Sequence, residues 1–520
     1  ITEKDMQIQK LHITDDYMIN DVFNSDFIPA TIGGESLYGY PMRTVISESN
    51  NTNWDKAVLA MANVNIPYTY EKSLSLPYNV LHTDLKWSTN TEDKKRASKY
   101  IESILLMLRT KVLLNNGDLS KTEIVWFYPA SMTQNRFNKF KAEWENTFAT
   151  LFGAPISNII AASESVAPYY YHKAKKGATS TVVSVDIGGG TTDVLIVDKG
   201  EPKYLTSFRF AANTIFGDGY SYDSDSNGFV NKYKDIITNQ LETNNLRGLK
   251  AVLKSVLDKR VSTDVIAFLF SLASNKEIKK EKVEINFAKM LADDNRGKYV
   301  VILFYVAIVY HIAKLMKAKG FDMPRHMTFS GNGSKVLNIL STNDATLVRL
   351  TKIIFEEIYA QSYSIDGLDI IRPANSKEST CKGGIILTPF QSQDYGEIKD
   401  MKTILIGTDN EKFADVHMTY NDVTEADLDS VVDVIKEYIE FTFKLDKKFS
   451  FYDNFDVDRS IMNKVKDLCY RDIRTYLENG LAIKKSEIAQ DGADDNLEET
   501  LFFYPLVGII NAVVRNIYQM

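Results

Sequence analysis

Residues 182–197 read VVSVDIGGGTTDVLIV: two apolar, β-branched runs joined by Gly188, Gly189, Gly190, Thr191 and Thr192, with Asp186 before the turn and Asp193 after it. Both flanks have strand composition, so the segment predicts a hairpin. Glycine lacks a Cβ, which lets the backbone take positive φ and come close to a ligand. Successive N–H groups in such a turn can converge on an anion, and the two threonines add hydroxyl donors. The guest this predicts is a phosphate. A phosphate held between carboxylates calls for a divalent cation. Mg2+ prefers phosphate and carboxylate oxygens and keeps most of its waters, which makes Asp186 and Asp193 candidate metal ligands. Asp186 is also a candidate for orienting an attacking water, as phosphoryl transfer requires. Other phosphate loops fit poorly. The chain has no G-x-x-x-x-G-K-[ST] run, and a dinucleotide fingerprint would open a helix where a second strand follows here.

Outward from the hairpin, the pattern alternates strands and helices. Thr89-Asn90-Thr91-Glu92 has capping-box form and precedes apolar residues at Ile101, Ile104, Leu105, Leu108 and Val112, predicting a helix that ends near Asn115-Asn116-Gly117. The continuous apolar run Glu123–Pro129 predicts a strand covered on both faces. A second helix carries Phe137, Phe140, Trp144 and Phe148 and stops at Gly153. Then come a strand, a polar turn with Ser165 as candidate cap, and a helix tolerating Pro168 in its first turn. After the hairpin, a strand is predicted over Lys203–Phe210, a mainly helical stretch over 221–320, and a strand-turn-helix unit over His326–Leu340. GGIIL at Gly383–Leu387 is a further apolar segment. Beyond Met401 the strand KTILIG leads into an acidic, helix-rich tail that reads as an appended module.

Composition bounds the function. At 520 residues, two or more packing units are expected. With 44% hydrophobic and 25% charged residues, the chain has ordinary globular composition. Its 61 basic and 68 acidic residues give a net charge of −7, which argues against a polyanion-binding surface, so no nucleic acid is expected as partner. Two cysteines cannot build a disulfide framework, and a reducing, cytoplasmic setting is the simpler expectation. The longest apolar run, Tyr299–Ala313, is short of the roughly 20 residues a membrane span needs and includes His311. It predicts a buried helix and no membrane span. The C-terminal LFFYPLVGIINAVVRNIYQM is broken by Pro505, Gly508, Asn511 and Arg515, and reads as a docked amphipathic helix.

DIGGGTTDV closely resembles the second phosphate motif of the ATPase superfamily of actin, heat-shock chaperones and sugar kinases. The spacing of other segments over residues 27–390 is most similar to the ATPase domain of 70-kDa heat-shock (DnaK-type) chaperones. IVWFYPASMTQNRFNKF resembles the segment before their interlobe hinge, IIAASESVAPYYYH their connecting segment, and FSGNGSKV their adenosine motif. The resemblance implies ATP or ADP with Mg2+ as ligands. It places Glu164 by the metal-bound water, Asp186 as the water-orienting or metal-linked carboxylate and Thr191 on the γ-phosphate, with Gly331 and Gly333 lining the adenosine pocket. Lys86 is the candidate for the lysine that reaches the γ-phosphate. Each position has a plainer alternative. Glu164 can cap the following helix, Gly331 and Gly333 can form an ordinary strand-to-helix turn capped by Ser334, and Lys86 can be a solvated surface lysine. The basic cluster Asn275–Lys282 can supply an adenine clamp from the upper second lobe, but a charge run is usually a solvated face. The six histidines show no metal-ligand spacing.

Two departures qualify the resemblance. The family's first phosphate hairpin has no match in residues 1–60, where IGGES at Ile32–Ser36 lacks the aspartate. Either an upstream hairpin is missing from this sequence, as its non-methionine start suggests, or the protein is a homologue that no longer hydrolyses ATP. Both accounts predict weak nucleotide binding by these 520 residues, and tight binding would contradict them. The tail also lacks the peptide-binding β-sandwich that follows a chaperone ATPase domain, so client binding is not inherited. The expected architecture is α/β: a two-lobed actin-like (ribonuclease H-like) ATPase fold with mixed sheets and a helix-rich C-terminal region. The first lobe is expected over 1–180, with an insertion near 50–116. The second-lobe core is expected over 181–217 plus 321–385, with 218–320 as its upper subdomain, and 386–520 returning to the first lobe before the extension. A nucleotide-driven switch with a protein partner or client, an actin-like filament or scaffold, and a small-molecule kinase stay open as functions.

Overall fold

The computed structural model describes residues 17–19, 42–49, 57–65, 79–82, 85, 88, 90–129, 132, 134–164, 166–176, 181–363, 367–373, 376–386, 418–491, 497 and 499–519. These divide into two compact units. One comprises the described residues of Ile1–Ile124, Asn138–Ile159 and Tyr233–Phe287. The other comprises those of Val125–Phe137, Ile160–Lys232 and Ala288–Met520.

The first unit contains a four-stranded sheet made of β1 (Tyr17–Ile19), β2 (Met42–Ser49), β3 (Ala57–Asn65) and β4 (Asn79–His82), in the order β1-β3-β2-β4. Strands β2, β3 and β4 are antiparallel neighbours, and β1 runs parallel to β3. The helix Thr91–Leu114 follows. Its cap is Asn90, one residue after the expected Thr89, and the Asn90 side-chain oxygen accepts from the Glu92 N–H at 2.8 Å. The helix buries Ile101, Leu105 and Leu106 and ends at Asn115, where Asn116 turns to φ 56°. The Arg109 Nε donates to the Leu151 carbonyl at 2.9 Å, fixing it to the helix Gln134–Phe152. That helix stops at Gly153 with φ 62°, the left-handed terminus its glycine predicts.

The second unit is built on a mixed five-stranded sheet. Two shorter strands of this chain, β5 (Ile124–Tyr128) and β6 (Ile159–Ser163), pair with each other separately. The sheet's strands are β7 (Val182–Ile187), β8 (Thr192–Asp198), β9 (Glu201–Phe208), β10 (His326–Ser330) and β11 (Asp369–Ile371), in the order β11-β10-β7-β8-β9. β7, β8 and β9 are successive antiparallel hairpins, while β10 and β11 add in parallel on the other side of β7. Strands β7 and β8 are buried along both faces, which is why their sequence is nearly continuous in apolar residues.

Strand alternation divides the sheet into two different faces. On one, Phe208 and Phe329 meet aromatic residues from two helices. Phe329 lies 5.8 Å from Tyr305 of the helix Lys298–Ala318, and Phe208 stacks at 4.0 Å on Phe503 of the helix Phe503–Ile517. On the other, Val182, Leu195, Val197 and Leu205 form a cluster with Val166, Ala167, Tyr169 and Tyr170 of the helix Val166–Lys176. That helix is crossed closely by the helix Ser376–Ile386. A Cβ on Gly383 would fall 1.8 Å from the Ala167 carbonyl oxygen, so no larger residue fits there.

The helix Lys298–Ala318 has 21 residues and is apolar enough to cross a membrane, yet 94% of its apolar window is inside the protein. Its Tyr305 bonds to Thr351, and its Leu303 carbonyl accepts from Tyr438 at 2.6 Å, tying it to the helices Asp344–Tyr359 and Glu425–Phe449. The helices after residue 418 therefore pack in the same unit as β7–β11. The return of the chain after 385 to the first lobe, expected from sequence, falls largely on residues 387–417, outside the described residues. Phe502 and Phe503 hold the C-terminal region to the sheet, because they insert into an aromatic cluster with Phe208, Phe210, Tyr310, His311 and Tyr438. Within 218–320, residues Tyr233–Phe287 fall in the first unit and Ala288 onward in the second. Residues 387–417, with KTILIG, and Ser165 lie outside the described residues, as does IGGES.

Candidate functional site

The hairpin forms where the sequence puts it, but its turn is not closed in the usual way. The Gly188 N–H donates to the Thr191 carbonyl at 2.9 Å, while the Gly188 carbonyl accepts from the Ala212 N–H at 3.3 Å. The Gly189 carbonyl accepts from the Asn213 N–H at 2.8 Å. None of Gly188, Gly189 and Gly190 has positive φ, so the expectation that these glycines supply left-handed backbone is corrected. The type I′ and II′ turns of two-residue hairpins need such residues. Here residues 212–213 take the carbonyls, and the turn opens. Left-handed backbone appears instead in the next hairpin, at Lys199 with φ 51° and Gly200 with φ 83°.

This arrangement aims the turn's amides. In a trans peptide the N–H points opposite to the C=O of the same unit. With the Gly188 and Gly189 carbonyls facing residues 212–213, the N–H groups of Gly189 and Gly190 both point the other way. Among the described residues, the N–H groups of Gly189, Gly190 and Thr191 have no hydrogen-bond partner. Gly189 and Gly190 are exposed, Thr191 is half-buried, and a Cβ placed on Gly190 would meet nothing within 4 Å. Adjacent parallel amides beside open space are the kind of arrangement that receives an anion.

Thr192 has a different part. It is fully buried, and its hydroxyl donates to the Phe210 carbonyl at 2.6 Å, so its proton is committed within the protein. The hydroxyl available to a ligand at the turn is that of Thr191, which makes only a 3.5 Å contact with an Asp193 carboxylate oxygen.

Beneath the turn, strand register builds a row of polar side chains. Ser330 of β10 lies opposite Asp186 of β7, Asp186 opposite Asp193 of β8, and Asp193 opposite Ser207 of β9. All four are buried, on the face whose other end the helix Val166–Lys176 covers. The Ser330 hydroxyl donates to Asp186 Oδ2 at 3.1 Å. The Ser207 hydroxyl oxygen is buried without a hydrogen-bond partner. Two carboxylates directly opposite on neighbouring strands sit about 5 Å apart at their Cβ atoms, which at an effective dielectric near 20 costs roughly 3 kcal/mol if both are charged. A divalent cation held partly by phosphate oxygens needs only one or two carboxylates. Asp186, Asp193 and the orphaned Ser207 hydroxyl fit that donor chemistry. Among the described residues, no group of three or more acidic, histidine or cysteine side chains gathers for a metal.

Gly331 and Gly333 touch this hairpin. Gly331 has φ 79°, and a Cβ there would lie 2.2 Å from the Ile187 carbonyl oxygen and 2.4 Å from Asp186 Oδ1. A Cβ on Gly333 would lie 2.1 Å from the Gly188 carbonyl oxygen. Both are glycines because the segment after β10 presses against the end of β7 and the turn. Ser334 donates to the Gly331 carbonyl at 2.8 Å, closing the strand-to-helix turn. Glu164 is half-buried at the end of β6, its N–H on the Tyr128 carbonyl at 3.0 Å, just before the helix that covers the carboxylate face. Lys86 lies outside the described residues.

Sequence reading missed Ser330, Ser207 and Asn213. Ser330 directly precedes Gly331, and Ser207 follows the alternation of β9, but only the pairing register places them level with the aspartates.

No protein-family model and no curated protein matches the chain. Among solved structures, it is similar to the ethanolamine utilization protein EutJ from Carboxydothermus hydrogenoformans, at 12% identity and TM-score 0.29 over 68% of this chain and 91% of that one. It is also similar to MreB5 of Spiroplasma citri bound to ADP, at 12% identity and TM-score 0.31 over 68% of this chain and 90% of that one. For MreB5 of Spiroplasma citri bound to AMPPNP the figures are 13% identity and TM-score 0.30, over 68% of this chain and 90% of that one. These likenesses carry no weight for the chemistry of the site.

Proposed function

We propose that this chain is an actin-like nucleotide-binding protein that takes ATP or ADP with Mg2+ at the Gly188–Thr192 turn and works as a nucleotide-driven conformational switch. The observation that carries the reading is the pair of adjacent N–H groups at Gly189 and Gly190, turned outward by the bonds their neighbouring carbonyls make to Ala212 and Asn213. Those amides and the Thr191 hydroxyl hold the terminal phosphates. Asp186 and Asp193 hold the Mg2+, whose charge offsets that of the phosphates and of the carboxylate pair. Ser330 fixes the Asp186 carboxylate by its hydrogen bond. Gly331 and Gly333 bring the segment toward the adenosine up to the turn, and Glu164 keeps the water-holding role that the resemblance gives it. The two cysteines, Cys381 and Cys469, are both free, in keeping with a reducing, cytoplasmic setting.

The output is conformational. The described chain from 418 onward consists of helices joined by short turns, with one isolated bridge residue and no β-strand among the described residues, and it packs in the sheet's own unit. That favours an actin-like switch or filament subunit, engaging a protein partner, over a peptide-binding chaperone. Titration calorimetry with Mg-ATP and Mg-ADP tests the reading. Binding is expected to need Mg2+ and to vanish in Asp193→Asn. No heat at concentrations up to about 1 mM, the limit of meaningful affinity near 4 kcal/mol, would refute it. Nucleotide-dependent sedimentation would identify a filament, and nucleotide-dependent protease protection without assembly a switch.

A further inference from the structure

We propose that Glu499, in the C-terminal helical region, is a positioning residue of the phosphate turn, acting through the segment Phe208–Asn213. Every link is a contact. Glu499 is fully buried, and its Oε2 accepts from the Arg209 N–H at 2.9 Å, across 290 residues of sequence. Its Oε1 takes the Lys484 ammonium at 3.3 Å and the Tyr504 hydroxyl at 2.9 Å. Burial works against the Glu499 carboxylate, but the charges of Lys484 and Arg209 outweigh it and hold its pKa below the usual value. The Arg209 guanidinium pairs with Glu487 of the helix Ile473–Asp491.

Arg209 sits at the apex of a three-residue turn in which the Phe210 N–H donates to the Phe208 carbonyl at 2.9 Å. Its neighbours alternate between the two structures. Phe208 is the register partner of Thr192 and stacks on Phe503. Phe210 accepts the Thr192 hydroxyl and lies 4.7 Å from Phe503. Two residues on, Ala212 and Asn213 hold the glycine carbonyls that aim the turn's amides. A shift of Arg209 therefore moves the donors that orient Gly189 and Gly190. A carboxylate at 499 fixes the Arg209 N–H, and the C-terminal helices thereby set the geometry of the turn.

The inference rests on the proposed nucleotide site, so the experiment has an arm that needs no nucleotide. Two double variants remove both buried charges and differ only in the acceptor. Glu499→Gln with Lys484→Met keeps an oxygen for the Arg209 N–H, and Glu499→Leu with Lys484→Met does not. Hydrogen exchange of a fragment spanning 208–216, in the apo protein, is expected near wild type in the first variant and at least tenfold faster in the second. Mg-ATP affinity is expected within about threefold of wild type in the first and about tenfold weaker in the second. Equal exchange and equal affinity in two folded variants would overturn the proposal. A wild type that binds no nucleotide would sink the nucleotide reading, while the exchange arm still decides the coupling. Should the leucine variant not fold, native-state exchange of the wild type in mild denaturant decides. Fragments 208–216 and 499–517 are expected to open together, and opening of 208–216 while 499–517 stays protected would overturn the coupling.

Discussion

A methyl group on Gly190 separates the two reasons a turn can contain glycine. The position does not use left-handed backbone, and a Cβ there would meet no atom within 4 Å. Alanine therefore costs the fold nothing by contact. By restricting the unfolded chain it stabilises by about 0.4–1 kcal/mol, which for a unit of this size raises Tm by up to about 4 °C. The same methyl projects beside the amides that would hold phosphate. Losing one hydrogen bond to a charged group there costs about 1.5–3 kcal/mol, or roughly 10- to 150-fold in affinity. Gly190→Ala is thus expected to melt at or above the wild-type temperature in EDTA, by scanning calorimetry, and to bind Mg-ATP at least tenfold more weakly by titration. A variant with unchanged affinity would show that the space over Gly190 is not the ligand's. A variant that melts early would show that the turn's glycine serves the protein itself.

The other glycines should behave in the opposite way. Gly333→Ala would place a methyl 2.1 Å from the Gly188 carbonyl oxygen, where only backbone can yield, and is expected to lose about 1–3 kcal/mol in urea titration together with nucleotide binding. Asp193→Asn removes one of two opposed buried carboxylates and is expected to raise apo stability by up to about 3 kcal/mol while abolishing Mg2+-dependent binding, measured by paired melts and titrations. His311 is buried against Phe208, Phe502 and Phe503, and burial pushes its pKa down to about 3. It stays neutral in the fold and takes up a proton on unfolding below about pH 6.5, so stability falls as pH drops from there toward 3. Between pH 7.5 and 5 the loss is on the order of 2 kcal/mol, and His311→Phe is expected to remove that part of the slope in urea midpoints at the two pH values.

The local parts of this structure were legible because local chemistry decides them. The hairpin strands, the helix ending at Asn115, the stop at Gly153 and the buried helix over Lys298–Ala318 each follow from composition, caps and period. The helix at Phe503–Ile517 keeps Pro505 in its first turn, where its missing N–H is harmless. What the sequence could not carry is register and long-range partnership. Asp186 and Asp193 stand out in sequence because they flank a turn, but their alignment with Ser330 and Ser207 depends on β10 adding to β7 from far along the chain. Gly331 and Gly333 read from sequence either as the lining of an adenosine pocket or as an ordinary turn, and spacing alone does not show how closely they approach the carbonyls of Ile187 and Gly188. Likewise, nothing in the acidic tail announces that Glu499 will bond to Arg209, since a lone glutamate reads as surface until its partner is known.

The order of the central sheet has a consequence for biosynthesis. Strands β7, β8 and β9 can pair as soon as they leave the ribosome, yet β10 joins β7 only after more than a hundred further residues, and Phe503 covers Phe208 far later still. Until then one side of the nascent sheet shows bare aromatic rings to the cell. A chain interrupted before residue 499 would leave Phe208 and Phe210 without Phe503 and is expected to be a substrate for aggregation or for holding factors. Completion of the phosphate-side row and sealing of the opposite face are separate events in time, so the half-made protein can have its glycine hairpin long before it has a closed core.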